Sequence, residues 1–335
     1  MSKKVKFAVS IVLVMTLLFS LIGCSSGGAN NASSGDVKPI RIKLGHTLTE
    51  TSSWQVAAKH FKEVVEEKTG GRYIVDIFPN EQLSAGNQQK ALEMVRAGSY
   101  EVDIKSSIIW AGLDPQITIA NMPWILPSFE KAEEVLQGKG GELLMGILEK
   151  NGVVPVAIGE TGFRHMLNNV RQIKSPADLK GLKIRVPGMK MYVDLYTVLG
   201  ADPTVMNFSE VFTALQQGTV DGIEGVHDVM VSSRFHEVTK YLSVNNYTYD
   251  FFFFTFSKKF YDSLSDEDKQ IFMEAGKEAT KVASDYAREK NVEALEFLKT
   301  ELEVYELTPE EIQVFYEASK PVYDMYKDSF SAELR

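Results

Sequence analysis

Cysteine occurs once in the 335 residues, at position 24, so no intrachain disulfide can form and the body of the chain has no thiol nucleophile. Histidine is scarce too: His46, His60, His165, His227 and His236 fall at no spacing that would gather a metal ion. There is no Gly-x-Ser-x-Gly elbow and no Walker loop. Gly138-Lys139-Gly140-Gly141 lacks the strand before it and the Ser or Thr after it that a phosphate cradle needs, and reads as a helix-ending turn. The nearest approach to an acid/base set is Asp221, Glu224 and His227 on one short stretch. These absences predict no catalytic residues, metal or cofactor. No basic block is present, and a net charge of −9 argues against nucleic acid or an anionic membrane surface as a direct partner. The acidity does not exclude an anionic ligand, which one or two placed arginines can hold.

The N-terminus is distinctive. Lys3, Lys4 and Lys6 precede an apolar run over residues 7–22 that ends at Leu21-Ile22-Gly23-Cys24. A spanning helix needs about 20 predominantly apolar residues. This run is shorter and is interrupted by Ser10, Thr16 and Ser20, so residues 1–23 read as a cleavable export signal of the lipoprotein type. Cys24 reads as the lipid attachment site, with a lone small hydrophobe as the bland alternative. Residues 25–36 are Ser, Gly, Asn and Ala without apolar periodicity, which is the composition of a flexible tether. The expected location is extracytoplasmic, on a lipid anchor in the cell membrane.

The body, from residue 37, is long enough for two lobes, since single cores stop growing at roughly 250–300 residues. Ile40, Ile42 and Leu44 alternate with Arg41 and Lys43 as in a half-exposed strand. Ser52 or Ser53 then caps a helix carrying Trp54, Ala57, Ala58, Phe61, Val64 and Val65, which ends at Thr69-Gly70-Gly71. A strand over 73–78, a helix over 88–97 and a strand over 101–104 complete a βαβαβ pattern, the mark of a parallel sheet flanked by helices. A second unit begins with a strand over 153–158. Ser175-Pro176-Ala177-Asp178 is a capped helix start closed by Gly181, and a strand over 183–186 places Lys183 and Arg185 opposite Ile184 and Val186. Ser265 with Asp268 opens a long helix with an apolar stripe through Ile271, Phe272, Ala275, Ala279, Val282, Tyr286, Val292, Leu295 and Leu298. Thr308-Pro309-Glu310-Glu311 is a capping box that starts the terminal helix. Two α/β units in one exported chain suggest a cleft between lobes, where pockets tend to lie.

The residues from 162 to 224 resemble the extracytoplasmic receptors of tripartite ATP-independent (TRAP) transporters, of the dicarboxylate-receptor (DctP-like) type. The likeness runs through Gly162-Phe163-Arg164, Asn168, Asp178-Leu179-Lys180-Gly181-Leu182-Lys183-Ile184-Arg185-Val186-Pro187, Gly200-Ala201 and Phe208-Ser209-Glu210-Val211. It continues through Ala214-Leu215-Gln216-Gln217-Gly218 and Val220-Asp221-Gly222-Ile223-Glu224. The resemblance implies an α/β, two-lobed periplasmic-binding-protein-like (type II) fold, with each lobe a mixed sheet flanked by helices. The lobes are then joined by crossing strands and a long shared helix: residues 37–161 with 251–290, and 162–250 with 291–335. It further implies capture of a small organic carboxylate by hinge closure and delivery to small and large membrane permease subunits driven by an ion gradient. A receptor for an ABC importer or a sensor kinase is the rival reading.

By the same resemblance, Arg185 makes a bidentate salt bridge to the ligand carboxylate, a geometry suited to a planar guanidinium. Arg164 is a second arginine near that carboxylate, or else an inter-strand ion pair to Asp or Glu. Phe208 is an aromatic wall, Thr47 and Ser106 are short polar contacts, and Trp110 and Trp124 line the cleft or fill the core. Two positions depart from the pattern: Gly225 stands where many relatives have a carboxylate-binding asparagine, and Gly188 where a polar residue often touches ligand hydroxyls. Both losses argue against a hydroxyl-rich sugar acid and for an apolar or aromatic acid, a dicarboxylate or a larger ligand. His227 is a candidate replacement donor. The run Phe251-Phe252-Phe253-Phe254-Thr255-Phe256 reads as a buried strand from which one ring could reach the ligand.

Overall fold

A computed structural model describes residues 38–334. The export signal, Cys24 and the tether lie outside the described residues. The strands are β1 (Ile40–His46), β2 (Tyr73–Phe78), β3 (Val102–Ser106), β4 (Val153–Asn168), β5 (Lys183–Val186), β6 (Asp202–Val205), β7 (Gly222–Val226), β8 (Tyr241–Ser257) and β9 (Glu303–Glu306). The helices are α1 (Ser53–Lys68), α2 (Gln88–Arg96), α3 (Ser107–Trp110), α4 (Phe129–Leu136), α5 (Lys139–Lys150), α6 (Lys190–Val198), α7 (Val211–Gln216), α8 (His227–Ser232), α9 (Lys258–Ser263), α10 (Asp266–Glu301) and α11 (Pro309–Tyr326).

The local signals act as the sequence predicts in the first unit. Ile42 and Leu44 are buried on β1, and Ser52 caps α1 by accepting from the Gln55 amide. Gly70 and Gly71, at φ 58° and 77°, turn the chain out of that helix through conformations that cost other residues more. Strands β1 and β2 pair in parallel, as do β1 and β3. Strand β5 matches its predicted bounds and runs parallel to β6 and β7. Helix α11 begins at the predicted capping box, with Glu311 reaching back to the Thr308 amide.

The second unit differs from expectation in extent. The strand expected to end at residue 158 continues to Asn168, because β4 pairs with β8 along nearly its whole length and with β7 at its far end. All strands consequently join one mixed sheet, in the order β2-β1-β3-β8-β4-β7-β5-β6 with β9 beside β8. Strands β4 and β8, 16 and 17 residues long, carry β3 at one end and β7 and β9 at the other. Their ladder changes register between Glu160 and Gly162 and again between Arg164 and Met166. The capped segment at Ser175 forms a single 3-10 turn, Pro176–Leu179. Gly138 starts α5 rather than ending a helix. Gly141 permits the close approach to α4 there, since a Cβ would lie 1.8 Å from the Leu136 carbonyl oxygen.

The phenylalanine run is core on both faces of β8: Phe251 and Phe253 join one apolar cluster, and Phe252, Phe254 and Phe256 another. Helix α10, 36 residues long, covers the second cluster. Its buried stripe is rotated from the predicted one, with Val292 exposed and Val282 and Tyr286 only part-buried. Phe272, Ala275, Ala279 and Leu298 face inward as predicted, joined by Gly276, Ala283 and Ala287, which the predicted stripe lacked. Volume decides this contact, because a Cβ on Gly276 would come within 2.7 Å of Val156.

Gly159 on β4 faces the fully buried ring of Phe252, to which an added Cβ would approach 2.1 Å, and that ring is backed by Trp54 at 5.5 Å. Gly159→Ala should therefore destabilise the fold by about 1–3 kcal/mol through overpacking. A denaturant titration reads this as a lower midpoint at unchanged slope, and an unchanged midpoint would refute it.

Candidate functional site

The carboxyl ends of parallel strands converge with the middle of the two long strands, and a cavity lies where they meet. This is the edge at which open α/β sheets place their ligands. The residues after β1 supply Thr47 and Leu48, and the end of β3 and helix α3 supply Ser106, Ile108 and Ile109. Strand β5 supplies Arg185 and β7 supplies Glu224 and Gly225, while Arg164 and Asp250 come from β4 and β8. The space is about 50 Å³.

Two arginines line it, and their surroundings differ. Arg164 is saturated: Nε and Nη2 donate to the two Glu224 carboxylate oxygens, Nη2 also reaches the Glu224 carbonyl oxygen at 3.0 Å, and Nη1 donates to Asp250. Burial disfavours its charged form, but Glu224 and Asp250 outweigh that and hold its pKa well above the ordinary value. Tyr247 donates to Glu224 as well, and the Ser106 hydroxyl donates to Asp250 at 2.7 Å. Arg185 is only 2% exposed and, among the described residues, has no acidic partner within ion-pair distance. Its Nε and Nη2 donate to the Met206 carbonyl oxygen at 3.0 and 2.7 Å, which fixes the guanidinium and leaves Nη1 without a hydrogen bond. Burial pushes its pKa down to about 10, with Glu224 opposing and Arg164 adding to the shift.

The chain that holds Arg185 also supplies the aromatic wall. Two residues after Met206, Phe208 opens a 3-10 turn with its ring centroid 5.8 Å from the Arg185 guanidinium carbon and 5.6 Å from the Phe235 ring. Thr47 lines the cavity while its hydroxyl donates to the buried Glu81 at 2.5 Å. Gly225 lines it too, and a Cβ there would meet nothing closer than Met230 at 3.9 Å.

Four of the candidate residues lie outside the cavity. Trp110 is fully buried in the larger core cluster away from the cavity. Trp124 packs on Tyr247, Phe315 and Tyr316 and donates to the Asn245 carbonyl oxygen, also outside it. Gly188 is exposed opposite Gln89 and Gly112, so its missing side chain removes no cavity contact. His227 lies behind the sheet, stacked on His165 at 3.9 Å, because successive residues on β4 point to opposite faces. No ring of the 251–256 run lines the cavity either. Sequence reasoning missed Asp250, Gln88, Thr161 and Trp54. For Asp250 a signal was present: an acid immediately before the apolar run over residues 251–254, inside a buried strand, must find a buried cation.

Two larger surface grooves, about 520 and 620 Å³, share Arg288, which is already paired with Glu133 and Glu160 at 3.0 and 2.8 Å. Neither offers a free buried arginine.

Comparison with known proteins places the chain in a family. Residues 44–329 match the family described as bacterial extracellular solute-binding protein, family 7 (DctP). The C4-dicarboxylate-binding periplasmic protein of Rhodobacter capsulatus is 31% identical, over 96% of this chain and 97% of its own. A sugar acid binding protein of Advenella mimigardefordensis, solved with galactonate, is 31% identical at a TM-score of 0.85, covering 89% of this chain and 96% of its own. A TRAP periplasmic solute binding protein of Ralstonia eutropha, solved with (S)-2-acetolactate, is 29% identical at the same TM-score, covering 88% and 96%.

The unequal pairing of the two arginines gives opposite expectations for stability. Arg164→Met strands two buried carboxylates and should cost about 3–5 kcal/mol. Arg185→Met removes a desolvated charge with no acidic partner and should leave the unliganded fold as stable or more so. Denaturant midpoints measured side by side decide the matter, and equal losses would count against it.

A second expectation concerns pH. Burial, with Lys299 adding, depresses His227 from 6.5 to about 4. The unfolded chain therefore takes up that proton first on acidification. The contribution of His227 is intact above about pH 6.5 and is lost as pH falls toward 4. His227→Phe keeps a ring against His165 without titrating. Relative to it, the wild type should lose up to about 1.4 kcal/mol per pH unit across that window, and parallel stability curves would contradict this.

Proposed function

We propose, for a chain that belongs to the bacterial extracellular solute-binding proteins of family 7, that Arg185 is the anchor for the carboxylate of a small organic acid. The observation that carries this reading is a buried arginine, fixed by a backbone carbonyl and without an acidic partner among the described residues, on the wall of a cavity. An uncompensated buried cation costs several kcal/mol, and a bound carboxylate relieves that cost with two parallel charge-assisted hydrogen bonds. Arg164, ion-paired to both Glu224 and Asp250, shapes the polar wall and is not free to meet a ligand carboxylate. Phe208 covers the anchor, and Ser106 and Thr47 close the opposite wall.

The captured acid is held without chemical change and passed to the membrane subunits of a TRAP transporter. Capture is by hinge closure of two lobes, residues 37–161 with 251–290 and 162–250 with 291–335. Three features support that division. The β4–β8 ladder shifts register at Thr161, Gly162 takes φ 129°, and Asn291 of α10 clamps the Thr161 carbonyl oxygen at 2.8 Å while accepting from the Asp228 amide at 3.0 Å. Cys24 anchors the receptor to the outer face of the cell membrane by lipid.

A thermal-shift panel of mono- and dicarboxylates, sugar acids, amino acids and neutral solutes tests the reading. A ligand at a hundred times its Kd adds about 2.7 kcal/mol, so at least one organic acid should raise Tm by several degrees. Arg185→Met should abolish that shift while the protein stays folded. A response confined to neutral or cationic solutes would dismiss Arg185 as the anchor.

A further inference from the structure

Gln88 is the first residue of α2 and lines the cavity, with 7% of its surface exposed. Its side-chain amide makes no hydrogen bond to any described residue. The amides beside it are spent: Gln89 donates to the Ile109 carbonyl oxygen at 3.3 Å, and Asn87 caps α2 by accepting from the Lys90 backbone amide at 2.9 Å. The helix start is therefore fixed without the Gln88 side chain. Thr161 lines the same cavity at 2% exposure. Its Oγ1 accepts from Trp54 Nε1 at 3.4 Å, and its own proton has no acceptor among the described residues. Buried polar groups are ordinarily paired, so two unspent ones on a cavity wall point to a ligand that pairs them.

The other hydroxyls and the other arginine of the wall are already engaged. Thr47 donates to Glu81 at 2.5 Å and Ser106 to Asp250 at 2.7 Å, while Arg164 is ion-paired to Glu224 and Asp250. What remains is Arg185, the Gln88 amide and the Thr161 hydroxyl. The donors among them are met by any ligand oxygen, the carboxylate included. The Gln88 carbonyl oxygen is different, because only a donor answers it. A hydrocarbon acid, a keto acid and an ionised dicarboxylate bring none. An ammonium group brings one, but it would add a cation to a wall where both acids are already paired with Arg164. A hydroxyl brings a proton for the amide oxygen without a charge, and its own oxygen remains free to accept.

Resting on Arg185 as the carboxylate anchor, we infer that Gln88 is a second ligand-binding residue that selects acids carrying a hydroxyl, which donates to its Oε1, with Thr161 as an added donor to ligand oxygens. Selection arises because closing the cavity over an acid without that hydroxyl leaves the amide oxygen buried and unmet. The amide holds no other part of the chain, so removing it should leave the fold undisturbed.

Isothermal titration of the purified full chain with butanoate, its 2-, 3- and 4-hydroxy derivatives, 2-oxobutanoate and succinate tests this. At least one hydroxybutanoate should bind about tenfold or more tightly than butanoate, 2-oxobutanoate and succinate. Gln88→Met, close in length but without the amide, should keep the wild-type Tm, remove that preference and leave butanoate affinity unchanged. The inference is wrong if no hydroxybutanoate is preferred, or if Gln88→Met weakens butanoate as much as the hydroxy acid. A lowered Tm in Gln88→Met would give the amide a structural role instead. Preference for succinate that Gln88→Met weakens would overturn the selection for a hydroxyl. Arg185→Met separates the two readings. Loss of all binding supports the anchor, whereas hydroxybutanoate binding that survives Arg185→Met and falls in Gln88→Met removes the anchor and leaves the Gln88 assignment standing.

Discussion

A buried positive charge must be answered by a negative one, and the arrangement around this cavity follows from applying that rule to one arginine and withholding it from the other. Arg164 receives two carboxylates from two different strands, so it ties β4 to β7 and β8 at the point where the ladder changes register. Arg185 receives only a carbonyl oxygen, which orients the fork without neutralising it. The fold thereby stores an electrostatic deficit in one place, and a carboxylate is the simplest solute that removes it. The stored cost is tolerable because the surrounding structure is over-determined: long strands paired along their length, and a helix of 36 residues laid across them on small side chains.

How far this was legible in the sequence depends on the range of the interactions involved. Strands β2 and β5 and the start of α11 are set by alternation and by a capping box, signals contained within a few residues, and they fall where predicted. The second half of β4 has no such signal. Residues 159–168 include two glycines, a glutamate, an arginine and a histidine, and are held extended only by partners some 60 to 90 positions away. The stripe on α10 was misjudged in part for a related reason, since hydrophobicity favoured Val292 while the close approach to β4 also selects Gly276, Ala283 and Ala287 by volume.

The site divides in the same manner. Alternation on β5 gave Arg185 the polar face of its strand, as it gave Lys183, yet only Lys183 meets solvent. What covers Arg185 is the chain after β6, a contact that no periodicity encodes. The role proposed for it comes from the resemblance to the TRAP receptors, and the inter-strand ion pair offered as the alternative for Arg164 is what the structure contains. Trp110 and Trp124 could not be told from cavity residues by type, because a large apolar ring suits a core and a binding wall equally.

The alternation that sends Arg164 into the cavity sends His165 out behind it, where it stacks on His227. Burial first, then His227 and Arg164, hold His165 well below its ordinary pKa, so the layer behind the two arginines stays uncharged. Two backbone amides, of Asn245 and Asn246, donate to its Nδ1 at 3.3 Å, which requires the neutral ring. A protonated imidazole there would add a third positive charge one residue from Arg164 and compete for the carboxylates that neutralise it. Neutral histidines behind the sheet therefore keep Glu224 and Asp250 committed to Arg164, and that commitment leaves Arg185 as the arginine of the cavity wall without an ion-pair partner among the described residues.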